Sequence, residues 1–242
     1  MVKELEIILP VHNEEKNLKD VFLKIHNSIK DIIDYSVIAC EDGSTDNSKK
    51  ILSDLSKVYP MKIITSEQRK FYSKAVMDGI KKAEADYLLF MDSDGQCDPE
   101  DILKLWIHRK EYDIINGYRV LRLHSLHRKI CAKIFYFFYK TLFNVPLRDP
   151  SMSFILVSKK VYSNLNNYSP YLPDGFFWEF NARAFIKGYS FKEIGINHKY
   201  RTFGDTKIYH LYKIPLIGLN NIYGLIKVFW KRKKIEKNYD QE

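Results

Sequence analysis

Short apolar runs alternate with longer amphipathic stretches through the first hundred residues. LEIILP at 5–10 has the length and composition of a buried strand, and the segment after it places Leu18, Val21, Phe22, Ile25 and Ile29 at helical spacing. YSVIAC (35–40) gives a second strand, followed by a Gly-Ser-Thr-Asp turn and a helix through Ile51, Leu52 and Leu55. MKIITS (61–66) and DYLLFMD (86–92) predict two more strands, separated by a helix over SKAVMDGIKKA (73–83). This repeated order predicts an α/β fold, a single three-layer domain with a central, mostly parallel sheet and helices on both faces. Further on, DILKLWIHRK (101–110) reads as a helix, YDIINGYR (112–119) as a strand and 121–143 as a basic, aromatic, mostly helical segment. SFILVSKK (153–160) reads as a strand and its exit, 174–188 as a helix capped by Gly188, and FKEIGINHKYR (191–201) as a strand. Beyond that the pattern turns from core-like to surface-seeking. With no repeat or Gly/Ser-rich linker, the expected organisation is one domain over 1–210 and an amphipathic, basic tail over 211–242 with interfacial helices.

In sheets of this kind ligands bind beyond the C-terminal ends of the strands. Pro10–Glu14, Glu41–Asp46 and Asp92–Gln96 each follow a predicted strand, so three polar clusters converge on one rim. Asp92 and Asp94 lie two residues apart, and a turn at Asp94-Gly95 brings both toward one cation. Carboxylate oxygens suit Mg²⁺ or Mn²⁺, with substrate phosphates completing the shell. The same residues also serve a purely local purpose, Asp94 in an Asx turn and Asp98 capping the helix that follows. An isolated Asp-x-Asp does not choose between these.

Composition narrows the partners. Of 242 residues 45% are apolar and 29% charged, an ordinary globular balance, and the net charge of +9 predicts attraction to an anion. Nucleic acid, a membrane surface and a phosphorylated small molecule all qualify. The basic residues follow no RRM, zinc-finger or helix-turn-helix pattern, and acids line the predicted cleft, so nucleic acid is not the expected partner. Cys40, Cys97 and Cys131 are unevenly spaced, which argues against a disulfide framework and a structural zinc site and fits a reducing setting. The N-terminal stretch carries Lys3, Glu4 and Glu6 before Pro10 and does not read as a signal peptide, and no run of about 18 apolar residues reads as a membrane span. Any catalysis is therefore expected on the cytoplasmic side.

LPVHNEEKNL, CEDGSTDNS, FMDSDGQCDPEDI, NGYR and RDPSMSF, in this order, resemble the family 2 glycosyltransferases of GT-A fold. The likeness covers roughly 5–210 and is closest to the dolichyl-phosphate mannose synthase branch and its polyprenyl-phosphate relatives. The resemblance implies that Pro10, His12 and Glu14 surround a nucleotide, with His12 where Tyr is common, and that Asp42 contacts its base beside Glu41. It implies Asp92, Asp94 and Gln96 as the metal and diphosphate element, Arg119 and Arg128 toward an acceptor phosphate, and His198 and Arg201 facing phosphates from a late loop that also holds Lys207. Glu179 is either a general base, as in members that glycosylate hydroxyls, or the i,i+4 partner of Arg183. Two departures stand out: RDPSMSF has Met152 and Ser153 where a Ser-Gly-Phe pattern is usual, and RKFYSKA (69–75) lacks the glycine often found before that helix.

The activity implied is inverting transfer of a hexose or N-acetylhexosamine from a UDP- or GDP-sugar to a polyprenyl phosphate, assisted by Mg²⁺ or Mn²⁺. The alternatives are a saccharide hydroxyl acceptor with Glu179 as base, and a sensor that binds donor without turnover. A lipid monophosphate is already anionic and needs positioning more than deprotonation, for which guanidinium groups are well shaped. Ile130, Ile134, Phe137, Phe138, Thr141 and Leu142 recur at three and four among basic residues, and the tail from Ile214 to Trp230 is apolar before KRKK. These segments predict a peripheral membrane surface, with a core helix or a homodimer interface as the competing uses of the same stripe.

Overall fold

The computed structural model describes residues 2–120, 126–199 and 214–237, with the side chains of 126–131, 214–216 and 237 left out of that description. The chain runs β1 (Leu5–Val11), α1 (Leu18–Ile29), β2 (Tyr35–Asp42), α2 (Ser48–Ser56), β3 (Met61–Ser66), α3 (Tyr72–Ile80), β4 (Tyr87–Phe90) and α4 (Asp101–Trp106). It continues through β5 (Ile114–Arg119), α5 (Leu126–Phe143), β6 (Ile155–Ser158), α6 (Lys159–Asn164), α7 (Phe176–Ile186), β7 (Phe191–Ile196), α8 (Ile214–Trp230) and α9 (Arg232–Lys237). The strands form one sheet in the order β3-β2-β1-β4-β6-β5-β7. β1 pairs in parallel with β2 and β4, β2 with β3, and β5 with β7; β6 alone runs antiparallel, wedged between β4 and β5.

Strand alternation divides the core in two. Leu5, Ile7 and Leu9 of β1 join Val37, Ala39 and Leu89 against the buried face of α1, whose Leu18, Val21, Phe22, Ile25 and Ile29 are the five positions its spacing singled out. Ile8, Ile38, Cys40, Leu88 and Phe90 point the other way, onto α3, α6 and the Phe176, Phe177 and Phe180 face of α7. A third cluster lies beyond α7. Tyr139 and Phe143 of α5 pack there with Ala182 of α7, Leu225 and Val228 of α8, and Ile235 of α9.

Three elements depart from the expected pattern. β4 stops at Phe90, two residues before Asp92, because the chain breaks into the turn at Asp94-Gly95, where Gly95 has φ +75°. α6 follows β6 directly where an exit was expected, and β7 ends at Ile196. The stripe read on α5 is, by contrast, on the outside, as its surface reading expects and its core-helix reading does not: Ile134, Phe137 and Phe138 are exposed, while Tyr139 and Phe143 are buried. The aromatic content of this helix supplies both faces, so its period alone could not assign them.

At the edge of the sheet away from the polar clusters, Glu6 is a buried acid on β1. Its Oε2 accepts hydrogen bonds from the Glu84 and Ala85 amides at 2.6 and 3.0 Å, and Oε1 meets the Lys62 ammonium at 3.2 Å. These bonds fix the entry into β4. Glu6→Leu is expected to lower unfolding free energy by about 2–3 kcal/mol, since it strands two amide donors; a urea titration with unchanged m-value measures it.

Candidate active site

Parallel pairing brings the loops after β1, β2 and β4 to one edge, and hydrogen bonds then stitch them together. Asn13 accepts from the Thr45 amide at 2.7 Å, and its own amide donates to Ser44 Oγ at 3.0 Å. The Glu14 amide donates to Ser48 Oγ at 2.9 Å, while the Glu14 carboxylate accepts from Asn17 Nδ2 at 2.9 Å. His12 Nδ1 donates to the Asp42 carbonyl oxygen at 2.8 Å, which fixes the ring against the end of β2. Gly43 (φ +64°) makes the turn that follows; a Cβ there would stand 2.8 Å from the Arg69 amide nitrogen. The segment before α3 therefore lies directly on this loop, and the Lys70 amide donates to Asp42 Oδ1 at 2.6 Å. Glu41 is buried, with Oε1 accepting from the Ser44 amide and Oε2 without a hydrogen bond, 3.9 Å from Lys49 Nζ.

Asp92 and Asp94 occupy the loop after β4. Asp92 accepts from Tyr72 Oη at 2.7 Å on one oxygen and from Ser153 Oγ at 2.5 Å on the other. Asp94 accepts from the Gln96 amide at 3.0 Å, the Asx turn that its spacing allowed. Burial first, and then the Asp92 and Asp94 carboxylates, push the Tyr72 phenol and the Cys97 thiol well above their ordinary ranges. Ser93 Oγ donates to the Pro10 carbonyl at 2.6 Å and so ties this loop to the end of β1.

Gln96 connects the loop to the segment leaving β7. Its side chain donates to the Lys199 carbonyl at 3.1 Å, and its carbonyl accepts from the Lys199 amide at 2.8 Å. Cys97 and His198 form an antiparallel bridge, Lys199 pairs with Asp98 at 2.7 Å, and Asp101 accepts from the Asn197 amide at 2.6 Å. His198 thus sits at the rim. Asp98, the expected cap, reaches the Glu100 amide at 3.4 Å and is otherwise drawn to Lys199.

On the far side of the acids, Arg119 ends β5 with its guanidinium held by Asp149 through two parallel bonds of 2.7 Å and by Ser151 Oγ at 2.8 Å. Burial works against the charged guanidinium, but Asp149 outweighs it and holds the group above its ordinary pKa, with Cys97 and Asp92 adding to the effect. The Asp149 amide is in turn held by Glu193 at 3.3 Å. Arg119 is therefore preset in orientation beside Asp92.

Glu179 lies elsewhere. It is fully buried on α7, and its two oxygens accept from the Tyr171 and Leu172 amides at 2.7 and 3.0 Å and from Arg183 at 2.8 and 2.7 Å. Of the two uses read from its position, the i,i+4 pair is the one formed. Burial raises its pKa while Arg183, which stacks on Tyr168 at 4.0 Å, pulls it back. Glu179 reaches the rim only indirectly: it holds the 171–173 loop, whose Leu172 and Pro173 carbonyls accept from Ser73 Oγ at 2.6 and 2.7 Å.

The structure thus gathers Pro10, His12, Glu14, Glu41, Asp42, Asp92, Asp94, Gln96, Arg119 and His198 around one edge. Arg128 falls in the first turn of α5 with its side chain outside the description, and Arg201 and Lys207 lie outside the described residues. Tyr72, Ser153 and Asp149 were not anticipated as site residues. Ser153 and Asp149 belong to RDPSMSF, which singled out that stretch without assigning their contacts, and Tyr72 has no sequence signal beyond the missing glycine.

A mostly parallel sheet with acids gathered where its strands end is the GT-A arrangement. The family described as Glycosyl transferase family 2 matches residues 6–165, and the chain belongs to it. Dolichol-phosphate mannosyltransferase of Pyrococcus furiosus is 35% identical over 102 residues, 42% of this chain and 29% of that protein. Undecaprenyl-phosphate 4-deoxy-4-formamido-L-arabinose transferase of Proteus mirabilis is 30% identical over 137 residues, 55% of this chain and 42% of the relative. The protein of the same name from Yersinia enterocolitica is 26% identical over 232 residues, 93% of this chain and 67% of that protein. The matched stretch is under half the length of the first two relatives. Among solved structures, glucosyl-3-phosphoglycerate synthase of Mycobacterium tuberculosis, in complex with Mn²⁺, UDP-glucose and phosphoglyceric acid, superposes with a TM-score of 0.66 at 14% identity, covering 94% of this chain and 80% of its own. S. aureus TarS 1–349 gives 0.60 at 16% identity, covering 98% and 70%. At these identities the solved structures establish the fold alone.

Glu179→Gln is expected to lower stability by about 2–4 kcal/mol, because it leaves Arg183 buried without its counter-charge. A thermal melt beside a turnover assay checks this, and a base without structural duty would lose turnover at an unchanged Tm.

Proposed function

We propose that this protein transfers a hexose or N-acetylhexosamine from a UDP- or GDP-sugar to a polyprenyl phosphate, with inversion at the anomeric carbon, on the cytoplasmic side of a membrane. The observation that carries the reading is the juxtaposition of Asp92 and Asp94 with the preset Arg119 on one side and the end of β2, with Asp42, on the other. The names of the three curated relatives, transferases acting on dolichol phosphate or undecaprenyl phosphate, support the acceptor class.

In this reading His12, Glu14, Glu41 and Asp42 surround the base, and Pro10 forms part of the floor. The residues present fit a divalent cation. Asp92 accepts only one hydrogen bond on each oxygen, so lone pairs remain for a hard ion. Among the described residues no three His, Cys, Asp or Glu side chains form a dedicated cage. That suits Mg²⁺ or Mn²⁺ bound by one or two carboxylates together with substrate phosphates. Asp92 and Asp94 would hold the ion, which supplies positive charge against the departing diphosphate; the Mn²⁺ and UDP-glucose of the mycobacterial synthase complex are consistent with this. Arg119 orients the acceptor phosphate, with Arg128, Arg201, Lys207 and His198 as further cationic or donor groups. A phosphate oxygen needs no general base, which agrees with the engagement of Glu179 in the fold.

The lipid end of the acceptor would be met at a membrane surface formed by α5 and α8. Ile134, Phe137 and Phe138 on α5 are exposed together with Leu219, Tyr223 and Trp230 on α8, the last at 78%. Lys227 and Arg232 stand over Tyr223 and Phe229 at 4.3 and 4.0 Å, which places basic groups beside the apolar ones, as an anionic bilayer interface favours. No helix among the described residues is long and apolar enough to cross the membrane.

The test is a radiolabelled transfer assay that offers UDP-glucose, UDP-N-acetylglucosamine and GDP-mannose to polyprenyl phosphate in detergent. Label is expected in the lipid fraction with Mg²⁺ or Mn²⁺, lost with EDTA and reduced about 100-fold or more by Asp94→Asn. Donor binding without lipid label from any of the three would overturn the acceptor assignment.

A further inference from the structure

Three non-glycine residues among those described have positive φ: Asn13, Phe71 and Asn144. Asparagine enters the left-handed region readily, because its short polar side chain bonds locally. Phe71 is different in kind. At φ +69° and ψ +158° it lies outside the left-handed helical region, in a part of backbone space that essentially only glycine occupies without strain. Its ring is half exposed, with the Arg69 guanidinium 5.2 Å from the ring centroid, so core packing does not explain why an aromatic residue occupies the position.

The flanking bonds show what enforces the conformation. Immediately before Phe71, the Lys70 amide is bonded to the Asp42 carboxylate; immediately after it, the Tyr72 hydroxyl is bonded to the Asp92 carboxylate. Ser73 is held to the Leu172 and Pro173 carbonyls through its hydroxyl and to Pro173 through its amide. The Phe71 carbonyl accepts the first bonds of α3, from Lys74 and Ala75, both at 3.1 Å. Phe71 is therefore the single residue spanning the acid at the end of β2 and the first acid after β4, clamped from both sides. A glycine would satisfy all of these bonds with no strain, since none uses the Phe71 side chain.

We infer that Phe71 is a specificity-determining residue of the donor site, its ring forming an apolar wall against the ribosyl part of a nucleoside diphosphate whose base lies at Asp42 and whose phosphates lie at Asp92 and Asp94. The inference rests on the nucleotide-sugar reading above. The ring is the only feature at this position that glycine could not supply, and its residue lies between the contacts to Asp42 and Asp92, the interval that the pentose of such a ligand would span in that reading. The strain then belongs to the site: the fold holds the ring in place at a cost to its own stability.

Two substitutions separate ring from backbone. Phe71→Ala removes the ring and keeps the strain; Phe71→Gly removes both. Titration calorimetry with UMP, UDP, GMP and GDP, with and without Mg²⁺, is expected to show both variants binding the nucleotide preferred by the wild type roughly three- to tenfold more weakly, to a similar extent for mono- and diphosphate. In thermal melts without ligand, Phe71→Gly is expected to unfold about 2–4 °C above Phe71→Ala. Wild-type affinity in both variants would overturn the assignment, as would wild-type affinity in Phe71→Gly alone, which would make backbone geometry the determinant. A wild-type protein that binds none of the four nucleotides would instead refute the nucleotide-sugar reading, and this inference with it.

Discussion

Parallel pairing of β1 with β2 on one side and β4 on the other is the constraint from which the site follows. Parallel strands run in one direction, so their C-terminal ends, and whatever polar residues follow them, must meet at a single edge. The register makes this specific. Val11 stands opposite Glu41, Pro10 opposite Cys40, and Ile8 opposite Phe90, so the chain leaves β4 beside Pro10, where Ser93 bonds to it. A slip of one residue would turn Ile7 and Leu9 out of their core cluster and exchange them with Glu6 and Ile8, which is why the buried alternation pins the register. Packing on both faces of the sheet thus fixes polar geometry at its edge.

The insertion of β6 extends the same logic to the Arg119 side of the edge. Running antiparallel between β4 and β5, it carries the chain directly from Ser153, bonded to Asp92, into the sheet. The stretch just before it delivers Asp149 to Arg119 at the end of β5. Asp92 and Arg119 are therefore connected by one short segment, and a shift of RDPSMSF would move both. Met152, where a small residue is usual in the resembling family, is buried in the core cluster beneath the sheet edge, so the departure is absorbed by packing.

Much of this was legible from periodicity, because the elements that define the edge are the most strongly patterned. β1, β2, β3 and α1 have clean apolar registers, and the acids that follow them fall at strand ends by simple counting. The contacts between loops were not legible. That Tyr72 would reach Asp92, or Asp149 would orient Arg119, depends on pairs 20 and 30 residues apart whose meeting is set by sheet order rather than by local pattern. Helix α5 was legible in its period but not in its faces: both are aromatic, so the surface, core and interface uses of its stripe stayed open in the sequence, and the structure leaves Ile134, Phe137 and Phe138 exposed. At Phe71 the missing glycine could be noticed in the sequence, but only the backbone angles show that the glycine conformation was kept.

Lone-pair accounting separates the acids that shape the fold from those that remain available to a ligand. An ionised carboxylate offers about four acceptor positions. Glu179 fills all of them with the Tyr171 and Leu172 amides and two guanidinium nitrogens, and it is buried besides, so its chemistry is complete within the protein. Asp92 holds two hydroxyl donors, one on each oxygen, and Asp42 holds the Lys70 amide on Oδ1 alone. Each of these bonds fixes the orientation of a carboxylate while leaving acceptor capacity on it. Charge arranged in this way needs little reorganisation when a cation or donor group arrives, and that is the condition under which fixed charge in a cleft is most effective. The same bonds explain why the site and the fold cannot be separated by mutation at Asp92: removing its carboxylate frees Tyr72 and Ser153 together, loosening α3 and the entry to β6 at one stroke.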